Sequence, residues 1–236
     1  MINGVIKTPE SPESTGYSPT TISGIKAADP SAKVNLIQPP SANNTGAANV
    51  SYPIEVPPGR KGMQPNLAVQ YNSDGGNGWL GQGWDLSVPS ISVETRWGVP
   101  LYHPTIESET YNLQGAMLAG VDNGSTFVAH KGEEVSRQPE DIEERQFYKR
   151  IGGGFERIMR YGNSPDEYYW EVTDKSGTQY FYGGVGGLDV SAVLRDPVTG
   201  NIAKWCLVEV REPNGNFMRY KHETETNTLF DNALTA

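Results

Sequence analysis

Glu223-Thr224-Glu225 comes closest, by residue type and spacing, to a catalytic signature. It is the Glu-x-Glu of ADP-ribosyl transfer, where one carboxylate orients the nicotinamide ribose and the other activates the acceptor. That chemistry also needs an upstream Arg and a Ser-Thr-Ser strand, and no Ser-Thr-Ser occurs, so a solvated strand end is the better reading. Gly76-Asn77-Gly78-Trp79-Leu80-Gly81 has the spacing of a dinucleotide fingerprint. The fingerprint requires a helix to open at the glycines, but Gly83, Ser87 and Pro89 follow, which predicts a turn instead. The carboxylates of Glu107–Glu109 and Glu140–Glu144 are the candidate pairs for glycoside hydrolysis, yet their polar surroundings predict a solvated face with ordinary pKa values. His103, His130 and His222 are far apart and share no ligand spacing. Cys206, the single cysteine, stands between Trp205 and Leu207 and reads as a small buried hydrophobe. No Gly-x-Ser-x-Gly elbow is present. No catalytic residue, metal ligand or cofactor-binding residue is expected.

The elements carrying these residues read as all-β: many short antiparallel strands and hairpins. Tyr52-Pro53-Ile54-Glu55-Val56 alternates and stops at Pro57-Pro58-Gly59. Leu67-Ala68-Val69-Gln70-Tyr71 alternates with Leu67, Val69 and Tyr71 on one face, and Ser87–Thr95 is extended with Pro89 marking an edge or bulge. Turns are expected at Gly59, Gly62, Gly75, Gly76, Gly78, Gly81, Gly83, Gly177 and Gly215, and core positions for Tyr71, Trp79, Trp84, Trp170, Tyr182, Trp205 and Tyr220. No helix is expected beyond one turn near residues 139–145, after Pro139. The last third holds a weak internal repeat. Trp170–Tyr182 and Val208–Tyr220 are both strand, turn, strand, with Gly177 aligned to Gly215, Val172 to Val210 and Tyr182 to Tyr220. Asn214-Gly215 is a hairpin dipeptide. Repeated hairpins of this kind build a curved sheet in which each covers its neighbour.

Composition bounds the rest. Gly 27 and Pro 17 make up nearly a fifth of 236 residues, while hydrophobic residues are only 36%, which suits turn-rich β structure. The formal charge of −9 disfavours nucleic acid and anionic membrane surfaces. No run approaches the length of a membrane span, and Met1–Pro12 shows no basic-then-apolar export signal. Residues 1–47 are rich in Ser, Thr, Pro, Ala, Asn and Gly, and read as an extended polar arm before a β-rich domain of 48–236.

The run Pro53-Ile54-Glu55-Val56-Pro57-Pro58-Gly59-Arg60-Lys61-Gly62-Met63-Gln64-Pro65-Asn66-Leu67-Ala68-Val69-Gln70-Tyr71-Asn72-Ser73, then Gly75-Gly76-Asn77-Gly78 and Gly81-Gln82-Gly83-Trp84, resembles the SpvB-type N-terminal domain. The likeness continues through Pro89-Ser90-Ile91, Gly98–Tyr102, Trp170–Thr178, Trp205–Val210 and Pro213–Asn216; Lys61, where relatives often carry a small residue, departs from it. As in insecticidal Tc-toxin B components, the resemblance implies a wall segment of an Rhs/YD-repeat shell that encapsulates a C-terminal cytotoxic effector. It implies no enzyme activity in this region and no cofactor. It implies as partners the remainder of the shell protein, a C-component or effector chain and a pore-forming A component, with a secreted destination. The alternative is a β-rich module gripping a partner protein or surface glycan. Asn43-Asn44-Thr45, Asn49-Val50-Ser51 and Asn123-Gly124-Ser125 fit a glycosylation pattern and are read as loop chemistry.

Overall fold

The computed structural model describes residues 41–42, 46–78, 80–137, 144–152 and 154–223. Its strands are β1 (Ser41–Ala42), β2 (Ala48–Ile54), β3 (Leu67–Asn72), β4 (Asn77–Gly78), β5 (Gly81–Gln82), β6 (Trp84–Leu86), β7 (Ser90–Val93), β8 (Tyr111–Leu113), β9 (Ala116–Asp122) and β10 (Ser125–Phe127). There follow β11 (Glu144–Lys149), β12 (Arg157–Tyr161), β13 (Tyr169–Thr173), β14 (Gln179–Tyr182), β15 (Val193–Arg195), β16 (Ile202–Arg211) and β17 (Phe217–Arg219). Three single 3₁₀ turns, at Arg60–Gly62, Ala129–Lys131 and Val190–Ala192, are the helical elements among the described residues. The chain is all-β, as its alternation predicts. The helical turn expected near 139–145 falls mostly outside the described residues, and Glu144 and Arg145 themselves open β11. β1 pairs with β2 through Ser41 and Ala42, so the sheet starts before residue 48; apart from Gly46 and Ala47, the remainder of the expected arm lies outside the described residues.

The curvature of the main sheet goes all the way to closure. β7, β8, β9, β11, β12, β13, β14 and β16 follow one another as antiparallel neighbours, and β16 returns to pair with β7 through Trp205↔Ile91. The result is an eight-stranded barrel, the size at which side chains just fill the interior. β10, β15 and β17 lengthen its rows by pairing with β9 and β16. Alternation aims Ile91, Val93, Tyr111, Leu113, Phe147, Ile158, Trp170 and Val172 into one core. A bulge in the β14–β16 ladder, where Phe181 opposes Glu209 but Tyr182 opposes Leu207, re-phases β16 so that Leu207 and Val210 both reach that core. Trp170 and Trp205 meet edge to face at 5.8 Å, and Tyr111 packs on Trp170 at 4.9 Å. Gly120 keeps the wall closed, since a Cβ there would lie 2.6 Å from the Phe127 ring.

The second sheet is open: β1-β2-β3-β6. Among the described residues, one free edge is β2 beyond its short pairing with β1. Ser73 N–H donates to Ala48 C=O, and Ala68 pairs its backbone with Ser87 instead of β2. By alternation, Pro53 therefore turns its nitrogen outward, where a missing N–H blunts the edge.

Candidate functional site

At the end of the barrel where β12 begins to leave the core, the interior turns from apolar to ionic. Arg160, on β12, is fully buried, and its guanidinium donates to both oxygens of Glu107 and, at 3.1 Å, to the Tyr111 hydroxyl. It lies 3.8 Å from the centre of the Tyr168 ring. Arg145, on β11, places Nη1 3.1 Å from Glu107 Oε1 and donates from Nη2 to Ser136 C=O. Arg137 donates to Glu109 Oε2 at 2.9 Å, to the Tyr168 hydroxyl at 3.2 Å, and to the carbonyls of His103 and Ile106. The other oxygen of Glu109 accepts from Tyr102 N–H and from the Ser108 hydroxyl.

These bonds fix two segments across the barrel mouth. Residues 102–110 and 133–137 pair through Ile106↔Ser136, Glu107 N–H to Val135 C=O and Arg137 N–H to Thr105 C=O. Tyr102 is held in the left-handed region at φ 46, strain kept in place by Glu109 and by its hydroxyl donating to Ile202 C=O. Three guanidiniums face two carboxylates, and aromatic rings receive the excess positive charge.

The electrostatics of Glu107 are those of an ion-pair partner. Burial alone would raise the Glu107 pKa, but Arg160, Arg137 and Arg145 outweigh it and hold the carboxyl below its usual range. Burial pushes the Tyr111 and Tyr168 hydroxyls up. Arg145 is pulled down by burial and by the Arg160 charge, with Glu107 opposing. A glycosidase acid needs a raised carboxyl, and Glu107 is lowered. The expected solvated face at Glu107–Glu109 is corrected here: both are buried, at 3% and 4% exposure, because three arginines receive them. The network is a fastening. Spacing did not reveal it, because Arg137, Arg145 and Arg160 lie 28 to 53 residues from the glutamates they bind.

The other sequence candidates stay dispersed. His103 is in an exposed turn, His130 stacks on Trp97 at 4.3 Å, and His222 Nε2 lies 2.8 Å from Leu207 C=O. Cys206 is half-buried on the opposite side of β16 from Trp205 and Leu207, and burial raises its thiol pKa. Gly76–Gly81 contains the small β4–β5 hairpin, followed by strand β6 and not by a helix. Glu223 pairs with Lys221, and Thr224 and Glu225 lie outside the described residues. Among the glycines expected at turns, Gly62, Gly81, Gly83, Gly177 and Gly215 have positive φ. At Gly59, Gly75 and Gly78 a Cβ would meet backbone at 2.9 Å or less, and nothing in the structure explains Gly76. Trp170, Tyr182 and Trp205 sit in the barrel core and Tyr220 packs on it half-buried. Tyr71 lies instead in the small sheet against Trp84, at 4.9 Å. Trp84 is 39% exposed and is no core residue, because nothing described covers that sheet; Trp79 lies outside the described residues.

The family model described as the Salmonella virulence plasmid 65kDa B protein matches residues 42–236. The mono(ADP-ribosyl)transferase SpvB of Salmonella choleraesuis (strain SC-B67) is 28% identical over 217 residues, spanning 85% of this chain and 35% of that protein. Its counterpart in Salmonella enteritidis gives the same figures, so the chain spans about a third of the length of these curated relatives, 35% in each. The N-terminal domain of the effector protein SpvB from Salmonella typhimurium strain LT2 superimposes with TM-score 0.58 at 25% identity, over 75% of this chain and 55% of that one. The Photorhabdus luminescens Tc holotoxin pore gives TM-score 0.61 at 23% identity, over 80% of this chain and 8% of that one. The TcdB2-TccC3 structure gives 0.59 at 24%, over 78% and 8%.

Proposed function

The chain belongs to the family of the Salmonella virulence plasmid 65kDa B protein, and from that premise we propose that it is a structural wall segment of a secreted bacterial toxin shell that encloses and helps deliver a cytotoxic effector. One observation carries this reading: the same β fold recurs both in the N-terminal domain of SpvB and as a small part, 8%, of the long chains of Tc complexes. The site fits it. The described charged groups that meet at the barrel mouth, Glu107, Glu109, Arg137, Arg145 and Arg160, pair with one another and hold the loops there. Tyr111, Phe147, Trp170 and Trp205 face one another inside the barrel, so the alternative of a glycan-gripping module would have to rest on exposed aromatics such as Tyr52, Trp84, Trp97 and Phe155.

In this reading the domain is not itself an enzyme. Its partners are the rest of the shell, an effector or C-component chain and a pore-forming A component, and its destination is outside the producing cell. The division into a polar arm of 1–47 and a β-rich body from 48 is part of the same proposal. Among the described residues no helix is long and apolar enough to cross a membrane. Protease protection tests the enclosing role. In the assembled toxin, trypsin should spare the effector while this domain is folded, and should digest it once Arg160→Ala disrupts the barrel. An effector cut equally fast in both assemblies would sink the idea.

A further inference from the structure

The two hairpins of the internal repeat stand side by side in the barrel wall. β13–β14 and β16–β17 lie in the order β13-β14-β16-β17, so the second strand of one hairpin pairs with the first strand of the next. Their turns are hydrogen-bonded identically. Gly177 N–H donates to Asp174 C=O and Asp174 N–H to Thr178 C=O; Gly215 N–H donates to Glu212 C=O and Glu212 N–H to Asn216 C=O. Both glycines have φ 83, and a Cβ on Gly177 would touch Pro213 at 3.1 Å, so the turns abut. β14 is thus a strand whose outer edge is occupied by a hairpin of its own kind.

β17 presents the same edge with no strand on it among the described residues. Glu212 N–H to Asn216 C=O and Tyr220 N–H to Val208 C=O aim alternate residues at β16, which turns the N–H and C=O groups of Phe217 and Arg219 away from it. Their counterparts in the first hairpin are Gln179 and Phe181. Gln179 is half-buried and Phe181, 6% exposed, packs with Val208 and Ala192, whereas their respective counterparts Phe217 and Arg219 are both exposed. The Arg219 charge that would blunt this edge is held by Glu209 at 2.7 Å, and its guanidinium lies 4.9 Å from the centre of the Phe217 ring.

We propose that the outer edge of β17, at Phe217 and Arg219, is the seat of one further antiparallel hairpin with an acidic-x-x-Gly turn, supplied by the adjoining wall of the toxin shell. This rests on the shell reading and adds to it the seam by which the wall continues. Main-chain hydrogen bonds supply the grip, and the seam repeats the one between β14 and β16.

The probe is a head-to-tail cyclised peptide with the sequence of residues 205–223, fluorescently labelled and titrated into the full chain. Binding should saturate and weaken by about tenfold or more in Phe217→Pro, which deletes the outward N–H together with the phenyl ring and takes no backbone hydrogen bond from β16. Ser51→Pro, at the other free edge, should leave it unchanged. Hydrogen exchange guards against a variant that fails to fold: in the wild-type chain, the peptide should slow the amides of Phe217 and Arg219 about tenfold and leave Ser51 unaffected. No protection at those amides would overturn the proposal. So would binding that survives Phe217→Pro, which means strand exchange into β16, or dimerisation through this edge without peptide, which makes a second copy the occupant. The protease-protection result stands independently of all three.

Discussion

The barrel and the four-stranded sheet are built from the same alternating sequence signal and end in opposite states. In the barrel every ring strand has a neighbour on both sides, and the apolar face is buried against itself: Ile91, Trp170 and Ile202 are all at 0% exposure. In the sheet, Val69, Tyr71 and Trp84 alternate as cleanly, yet Tyr52 is 49% exposed, Ile54 38% and Trp84 39%. Alternation specifies a strand and its two faces. Closure decides whether the apolar face becomes a core.

The largest expected effect divides the two regions. Arg160→Ala removes the partner that donates to both oxygens of Glu107 and leaves a buried carboxylate short of its bonds, at a cost of about 3–5 kcal/mol. Trp84→Ala should cost no more than about 2 kcal/mol, because over a third of that side chain is already in water. Urea melts of both variants check the comparison. Equal losses would mean that the sheet is as structural as the barrel.

Acid should act on the barrel first. Arg96, chiefly through its hydrogen bond, holds Glu94 at a pKa of about 2, against an ordinary value of 4.5. Glu107 and Glu209 are lowered too, each because arginines overcome the penalty of burial. A lowered carboxyl contributes stability that is complete above its unfolded pKa and is lost as pH falls toward the folded one. Near-UV circular dichroism from the barrel aromatics should hold down to about pH 4.5 and fade between there and about pH 2. Loss beginning near pH 6 would show that the carboxylates are not the groups responsible.

Much of the barrel was legible in the sequence, because Ile91, Val93, Trp170, Val172, Trp205 and Leu207 alternate on short strands bounded by turns. The repeat was legible too, since Gly177 and Gly215 occupy equivalent turns. The ionic mouth was hidden for a physical reason. A buried Glu and a solvated Glu look alike in sequence, and what separates them is an arginine brought over by strand pairing far along the chain. Tyr111 and Phe147 were missed as core residues because β8 is only three residues long and β11 sets a charged residue, Arg145, on the same buried face as Phe147. Turn type misled in one place. Asn214-Gly215 is not the two-residue turn its dipeptide suggests, because Gly215 alone has positive φ. The turns between adjacent paired strands with both residues positive are Gln114-Gly115, between β8 and β9, and Asn123-Gly124, between β9 and β10, the second of which reads in sequence only as loop chemistry.

That distinction sharpens the smallest expected effect, which compares two glycines instead of two regions. Gly215 closes a three-residue turn at φ 83, and nothing lies within 4 Å of a Cβ built there. Gly187 is equally uncrowded but has no positive φ. Any penalty in Gly215→Val that is missing from Gly187→Val is therefore backbone strain and not crowding. A β-branched residue forced into the left-handed region should lose about 1–3 kcal/mol. Part of that loss is recoverable, since Asn tolerates this conformation, so Gly215→Asn should fall between Gly215→Val and the wild type. Thermal melts of the three variants order them, with Gly187→Val within a degree or so of wild type, about the spread of a neutral surface change. Equal midpoints for Gly215→Val and Gly187→Val would mean that the β16–β17 turn relaxes without cost. The repeat would then be a likeness of sequence with no shared constraint behind it.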